Sequence, residues 1–124
     1  MWKTIFFPSF PQFFERESRD RMKNFYVYIL CNKRNGTLYT GVTSGIIKRT
    51  YEHKNKLDDG FTRKYNLQSL VWYEIHKTAD SAITREKRIK KWERKWKLEL
   101  IEKNNPEWDD LYDYICENSG FPIN

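Results

Sequence analysis

The sequence predicts an α/β chain of the α+β kind: a three-stranded antiparallel sheet flanked by helices, in the order ββαβαα. Three observations carry that expectation. Two runs rich in aromatic and β-branched residues, 25–31 and 37–42, are separated by an Asn35-Gly36 turn signal. A stretch of helical spacing, about 45–56, stands between them and a third such run, 70–75. A charge-coated stretch from 78 to 103 then repeats apolar residues at helical intervals.

Each element has a local reason. Phe25-Tyr26-Val27-Tyr28-Ile29-Leu30-Cys31 reads as a buried strand, and 32–36 supplies turn chemistry with Asn35-Gly36 suited to positive φ. The run 37–42 completes a hairpin. Ser44 is placed to N-cap the first helix, with Ile46, Ile47, Thr50 and Leu57 on its inner side and Asp58-Asp59-Gly60 ending it. After the third strand, Thr78 or Asp80 caps a helix through about Lys91. A second helical stretch, 92–103, follows a bend and stops at Asn104-Asn105-Pro106, and a short last helix is expected over 106–115.

The chain's 124 residues are one domain's worth, expected at 22–115, with a frayed tail at 116–124. Residues 1–21 read differently: aromatic, broken by Pro8 and Pro11, then polar without a period. Met22 stands directly before the first strand. The codons of Arg19-Asp20 can spell a purine-rich ribosome-binding sequence. A non-native upstream read-through and a native mobile tail both remain open, and either way poor order is expected. No secretory pattern precedes Met22, no run of ~18 apolar residues marks a membrane span, and the two cysteines, Cys31 and Cys116, are too few for a disulfide scaffold or a four-ligand zinc site. A reduced, cytoplasmic setting is expected. The 23 basic against 17 acidic residues make a polyanion the first partner to consider.

Three groups of residues can carry chemistry. Tyr26 and Tyr28 share one face of their strand and Tyr39 can join them across the hairpin, although strand tyrosines commonly serve packing. Arg49 and His53 lie four apart, on one face of the first helix, at the border of its apolar stripe. A pocket for an anion is one reading; a snorkelling arginine beside a surface histidine is the other. Glu86 falls on the inward face of its helix with Ala79, Ala82, Ile83 and Ile89. A carboxylate there costs several kcal/mol unless it is paired, with Arg49 as one candidate, or holds a metal. Residues 84–103 also hold nine Lys or Arg against four Glu, with Trp92 and Trp96 among them. The tryptophans are expected in the core. A nucleic-acid surface is expected at Lys48, Arg85, Lys87, Arg88, Lys90 and Lys91.

With these residues assembled, the chain resembles a GIY-YIG nuclease domain, and most the small stand-alone bacterial members of that superfamily. The first triplet corresponds to Tyr26-Val27-Tyr28 and the second to Tyr39-Thr40-Gly41. Arg49 and His53 follow Tyr39 by ten and fourteen positions, where the family has its arginine and its histidine or tyrosine. Glu86 matches the metal-binding glutamate, and the likeness covers roughly 23–110. Tyr26 and Gly41 would be structural. Two departures stand out: Val42 occupies a position where some members carry lysine, and no asparagine downstream of Glu86 matches the one that others use.

The resemblance implies hydrolysis of phosphodiester bonds in DNA, with RNA as the second candidate, at low sequence specificity. Glu86 would hold Mg²⁺ or Mn²⁺ on the scissile phosphate, and Arg49 would bind a non-bridging oxygen. Tyr39 would take the proton of the attacking water, with His53 and Tyr28 orienting it. An unperturbed phenol is only ~0.1% ionised at pH 7, so His53 as base, with Tyr39 positioning the water, is the alternative assignment. The missing helpers keep a second function open, a non-catalytic nucleic-acid-binding module on the same fold.

Overall fold

A computed structural model describes residues 23–57 and 60–118. The expectations for residues 1–21 and for 119–124 therefore lie outside the described residues. The elements are β1 (Phe25–Cys31), β2 (Leu38–Thr43), α1 (Ile46–Lys54), α2 (Phe61–Lys64), β3 (Ser69–His76), α3 (Ala79–Lys91), α4 (Arg94–Asn104) and α5 (Tyr112–Asn118). The three strands pair antiparallel, as the sequence predicts, and their order in the sheet is β2-β1-β3. No helix among the described residues is long and apolar enough to cross a membrane.

Alternation along β1 divides the interior. Val27, Ile29 and Cys31 point to one side, where Val71, Trp72, Ala82, Ile89, Ile101 and Trp108 close over them from β3, α3, α4 and the following loop. Tyr28 and Leu30 point to the other, against Ile46, Leu67, Leu70 and Ile115. The β1–β3 register slips between Ile29 and Leu30, opposite Trp72 and Leu70, so β3 carries one extra residue, Val71. Val71 and Trp72 thereby both join the first cluster.

The hairpin turn forms where the sequence puts it. Asn35 takes φ 60°, and Asn32 Oδ1 accepts from the Thr37 amide at 3.0 Å. Elsewhere local chemistry shifts the boundaries. Ser44 does not cap α1: Gly45 holds the N-cap position without a side-chain bond, while Thr43 Oγ1 accepts from the Gly45 amide at 3.0 Å. The helix ends early because Lys56 adopts φ 56° and the amides of Leu57 and Lys56 return to the carbonyls of Glu52 and His53. Leu57 is thereby thrown outward, 65% exposed, instead of lining the inner face. α2, which the sequence reading did not anticipate, ends the same way, with Asn66 at φ 59° and Leu67 fully buried.

Thr78, and not Asp80, caps α3 by accepting from the Ser81 amide. Its buried stripe is Ala82, Glu86 and Ile89, which leaves Ile83 on the flank, 40% exposed. Extended backbone at Trp92 and Glu93 makes the expected bend, so α4 starts at Arg94. Trp96 is 48% exposed, against the expectation of a core residue, and it meets Trp92 edge-on at 6.2 Å. The last helix starts at Tyr112 instead of 106. Trp108 is buried in the left-handed region and donates to Glu102 Oε2, and Asp110 Oδ1 accepts from the amides of Leu70 and Tyr112. α5 continues to Asn118 with Cys116 buried, so residues 116–118 are helical.

Candidate active site

The site grows from one cross-strand pair. Tyr28 on β1 faces Gly41 on β2. A Cβ at Gly41 would sit 2.6 Å from Tyr28 Cζ and 2.6 Å from its hydroxyl, so the tyrosine ring lies across the glycine. Only a residue without a side chain permits that close approach. Laid flat in this way, the 1%-exposed Tyr28 extends its hydroxyl to His53 Nε2 at 3.2 Å.

His53 is 2% exposed, and its other nitrogen, Nδ1, lies 3.1 Å from Thr62 Oγ1 of α2. Both ring nitrogens are thus engaged inside the protein. Tyr39, half-buried at the start of β2, completes a triangle of rings: its centroid is 6.3 Å from Tyr28 and 5.9 Å from His53. Phe61 stacks on the far side of Tyr39 at 6.2 Å with 30° between planes, and Tyr65 follows at 4.7 Å. Phe61 and Tyr65 are 47% and 40% exposed, so the aromatic series runs from the interior to solvent.

Arg49 lies one turn before His53 on α1. Its Nη1 donates to Glu52 Oε1 at 3.0 Å, and Lys48 Nζ approaches Glu52 Oε2 at 3.2 Å. The border position of Arg49 follows from the helix period, and of the two readings open for His53 the surface one fails: the residue is buried. Glu86 does not pair with Arg49. Its ion partner is Lys90, with Nζ 2.5 Å from Oε2, and the same ammonium stands over the Tyr39 ring, 6.0 Å from its centroid. Lys90 therefore links the acidic residue to the aromatic triangle. Glu86 is buried, while the Lys90 side chain that pairs with it is 47% exposed.

Tyr26 stays apart from the triangle and tilts against Tyr73 at 6.4 Å. Burial, then the phenols of Tyr114 and Tyr26, hold the Tyr73 hydroxyl above its ordinary pKa, which keeps that group neutral packing. Arg85 turns to the opposite edge, donating to both oxygens of Glu74 and lying 5.4 Å from the Trp92 ring. Lys87, Arg88 and Lys91 are exposed along α3.

Among the described residues no three His, Cys, Asp or Glu side chains gather into a metal-binding set. The donor chemistry of Glu86 suits a hard divalent ion of the Mg²⁺ kind, which is held by one or two carboxylates and takes its other ligands from water and phosphate. It does not suit zinc, which takes three or four protein ligands.

Two residues bear on the departures. Val42 packs on the aliphatic side of the sheet, the face away from Tyr39. Asn105 is fully engaged, Nδ2 donating to the carbonyls of Val71 and Asp109 while Oδ1 accepts from the Asp109 amide. Thr62, Phe61 and Glu52 are site residues that sequence reasoning missed. The Gly60 turn, at φ 89°, was the available signal for the first two, and the three-residue offset from Arg49 for Glu52.

A family model described as GIY-YIG catalytic domain matches residues 24–99. The chain is 42% identical over 88 residues to a UPF0213 protein of Syntrophus aciditrophicus, covering 69% of this chain and 98% of that one. It is 38% identical over 80 residues to the UPF0213 protein SSP2268 of Staphylococcus saprophyticus, covering 64% and 96%. The solution NMR structure of the UPF0213 protein BH0048 from Bacillus halodurans matches with a TM-score of 0.46 and 26% identity, over 70% of this chain and 92% of that one.

Proposed function

The chain belongs to the GIY-YIG family of nuclease domains, and from that premise we propose that it is a metal-dependent endonuclease that hydrolyses phosphodiester bonds in DNA with low sequence specificity, in the cytoplasm. The observation that carries the reading is the buried Tyr28–His53–Thr62 hydrogen-bond chain beneath a half-exposed Tyr39, with Glu86 one lysine away.

The burial of His53 favours Tyr39 of the two bases. A general base must come within hydrogen-bond reach of the proton it takes, directly or through one water. His53 is sealed in and bonded at both nitrogens, so its work is to hold Tyr28 and, through ring contact, Tyr39. Tyr39 is the group that meets water and accepts the proton. An ordinary phenol near pKa ~10 needs positive charge beside it for that task, and Lys90 stands over the ring. Arg49, kept in place by Glu52, binds a non-bridging phosphate oxygen and the charge that grows there. Glu86 is the residue that would hold Mg²⁺ or Mn²⁺, which supplies Lewis-acid stabilisation of the phosphate and leaving oxygen when bound. The exposed faces of Phe61 and Tyr65 offer surfaces on which nucleobases stack.

One observation favours a second reading, a binding module without turnover: neither Val42 nor Asn105 can stand in for the helpers that other members use. Cleavage of supercoiled plasmid and branched DNA with Mg²⁺ or Mn²⁺ separates the two. The nuclease reading expects cutting by the wild type and a loss of 100-fold or more in Glu86→Ala and Tyr39→Phe, with DNA binding retained. Binding without a cut on any substrate supports the module, and a fully active Tyr39→Phe removes Tyr39 as the base.

A further inference from the structure

Several cations on the sheet and its helices face a carboxylate. Arg49 and Lys48 face Glu52, Arg85 faces Glu74, Lys90 faces Glu86, Arg34 faces Glu107 and Lys54 faces Asp110. Lys33, Arg94 and Lys97 are different. All three line one cavity of about 650 Å³ between the hairpin turn and the first turns of α4, and no acidic residue lines it. None of the three has a carboxylate partner among the described residues.

No carboxylate lines the cavity to offset this crowding of like charge. Burial, then Arg94, then Lys90, lower the pKa of Lys97 below its ordinary value. Cations in the first turn of α4 also oppose the helix dipole, and no acidic side chain in that turn offsets them. The wall is nevertheless held in shape: Arg94 Nη2 donates to the carbonyls of Asn35 at 2.8 Å and Gly36 at 2.6 Å, which fixes the turn against the helix. The cavity adjoins the active site along β2. Leu38 lines it and Tyr39 is the next residue, while Lys90 lies over Tyr39 and close enough to Lys97 to perturb it.

We propose that this cavity grips a backbone phosphate of the bound nucleic acid, next along the strand from the phosphate at Tyr39, with Lys33 and Lys97 as its cationic contacts. The proposal rests on the nucleic-acid reading above and adds the residues that hold the strand on one side of the reacting bond. Arg94 shapes the site and positions the turn. The anion that enters supplies the counter-charge missing from the free protein, so binding relieves a repulsion as well as forming contacts.

The test uses the full chain with Glu86→Ala, which keeps DNA uncut, and measures binding of a labelled oligonucleotide by fluorescence anisotropy across a salt series. Lys33→Gln/Lys97→Gln is compared with Lys77→Gln/Lys103→Gln, an equal loss of charge at exposed sites elsewhere. Each lost phosphate contact lowers the slope of log K against log salt by ~0.7–0.9. The cavity variant is expected to bind about tenfold more weakly with a slope shallower by ~0.7–0.9, and the control within about twofold of the parent. Lys97→Gln alone is expected to melt at or above the parent's temperature while binding more weakly, which separates lost contact from lost fold. Equal weakening in both double variants overturns the cavity and leaves nucleic-acid binding standing. A parent protein that binds neither DNA nor RNA overturns both. Inorganic tripolyphosphate that raises the melting temperature as much as the oligonucleotide does, and through Lys33 and Lys97, assigns the cavity to free polyphosphate and overturns the strand assignment.

Discussion

The two faces of β1 are built from adjacent residues and do opposite work. Val27, Ile29 and Cys31 enter an apolar layer of aliphatic and tryptophan side chains under α3 and α4, where shape and area dominate. Tyr26, Tyr28 and Leu30 enter the layer beneath α1 and α5, which is equally well sealed around Tyr28 and His53 but contains hydroxyls and an imidazole. Each buried polar atom there needs a partner, because an unpaired one costs ~1–3 kcal/mol. The requirement is met by a directional chain, Tyr28 to His53 to Thr62, which fixes orientation as well as burial. The comparison teaches that burial by itself does not distinguish core from site. The chemical difference is whether the buried atoms have directions to satisfy.

If that division is right, the aliphatic face should respond to lost volume and leave the chemistry alone. Ile29→Ala is expected to cost ~2–5 kcal/mol, read as a lowered urea midpoint, with cleavage per folded molecule unchanged. A specific loss of cleavage at unchanged stability would break the comparison. Cys31, on the same face, sharpens it through pH. Burial, then the Asp110 charge, push its thiol up to about 11 from 9.0, partly offset by the Lys33 backbone amide. Between about 9 and 11 the unfolded thiol loses its proton while the folded one keeps it. The unfolded state then binds fewer protons, and stability falls as pH rises, by up to about 3 kcal/mol across that window. Below that window both states hold the proton and the group contributes nothing. Denaturant titrations of Cys31→Ala should show a shallower alkaline loss than the wild type, with no difference below the window.

Which parts of this were legible in the sequence follows the same physics. Alternation and helical spacing placed Tyr28, Tyr39, Arg49, His53 and Glu86 on the faces of their elements, and the resemblance to GIY-YIG domains joined them into one site. Partners that depend on where a chain turns were not legible. Leu57 and Thr62 exchange roles because α1 ends at a left-handed Lys56 and a four-residue helix then carries Thr62 back to His53. Nothing periodic announces such a helix. Lys90 could be placed on α3 from the sequence, but its double contact with Glu86 and Tyr39 depends on how α3 crosses β2. The same holds for Ile83: the buried stripe of α3 follows the sheet it lies on and not the apolar residues alone.

Gly41 is where the two faces meet, and it permits the finest test. On one side of its strand Val42 packs into the aliphatic layer; on the other Gly41 itself leaves room for Tyr28. Gly41→Ala adds one methyl group, a smaller change in volume than Ile29→Ala removes. The added atom would lie 2.6 Å from the ring, and the neighbour is a rigid aromatic inside a packed layer, so the ring must tilt away. Overpacking of this kind costs ~1–3 kcal/mol. The consequence for chemistry is larger than for stability, since the tilt carries the hydroxyl off His53 Nε2 and releases the imidazole that supports Tyr39. Gly41→Ala is therefore expected to fold with a modestly lowered melting temperature and to lose cleavage by at least tenfold. Thermal melts and plasmid nicking on the same preparation measure both. Full activity in a folded Gly41→Ala would show that the directional chain under Tyr39 is packing, and would place the polar face in the same class as the aliphatic one.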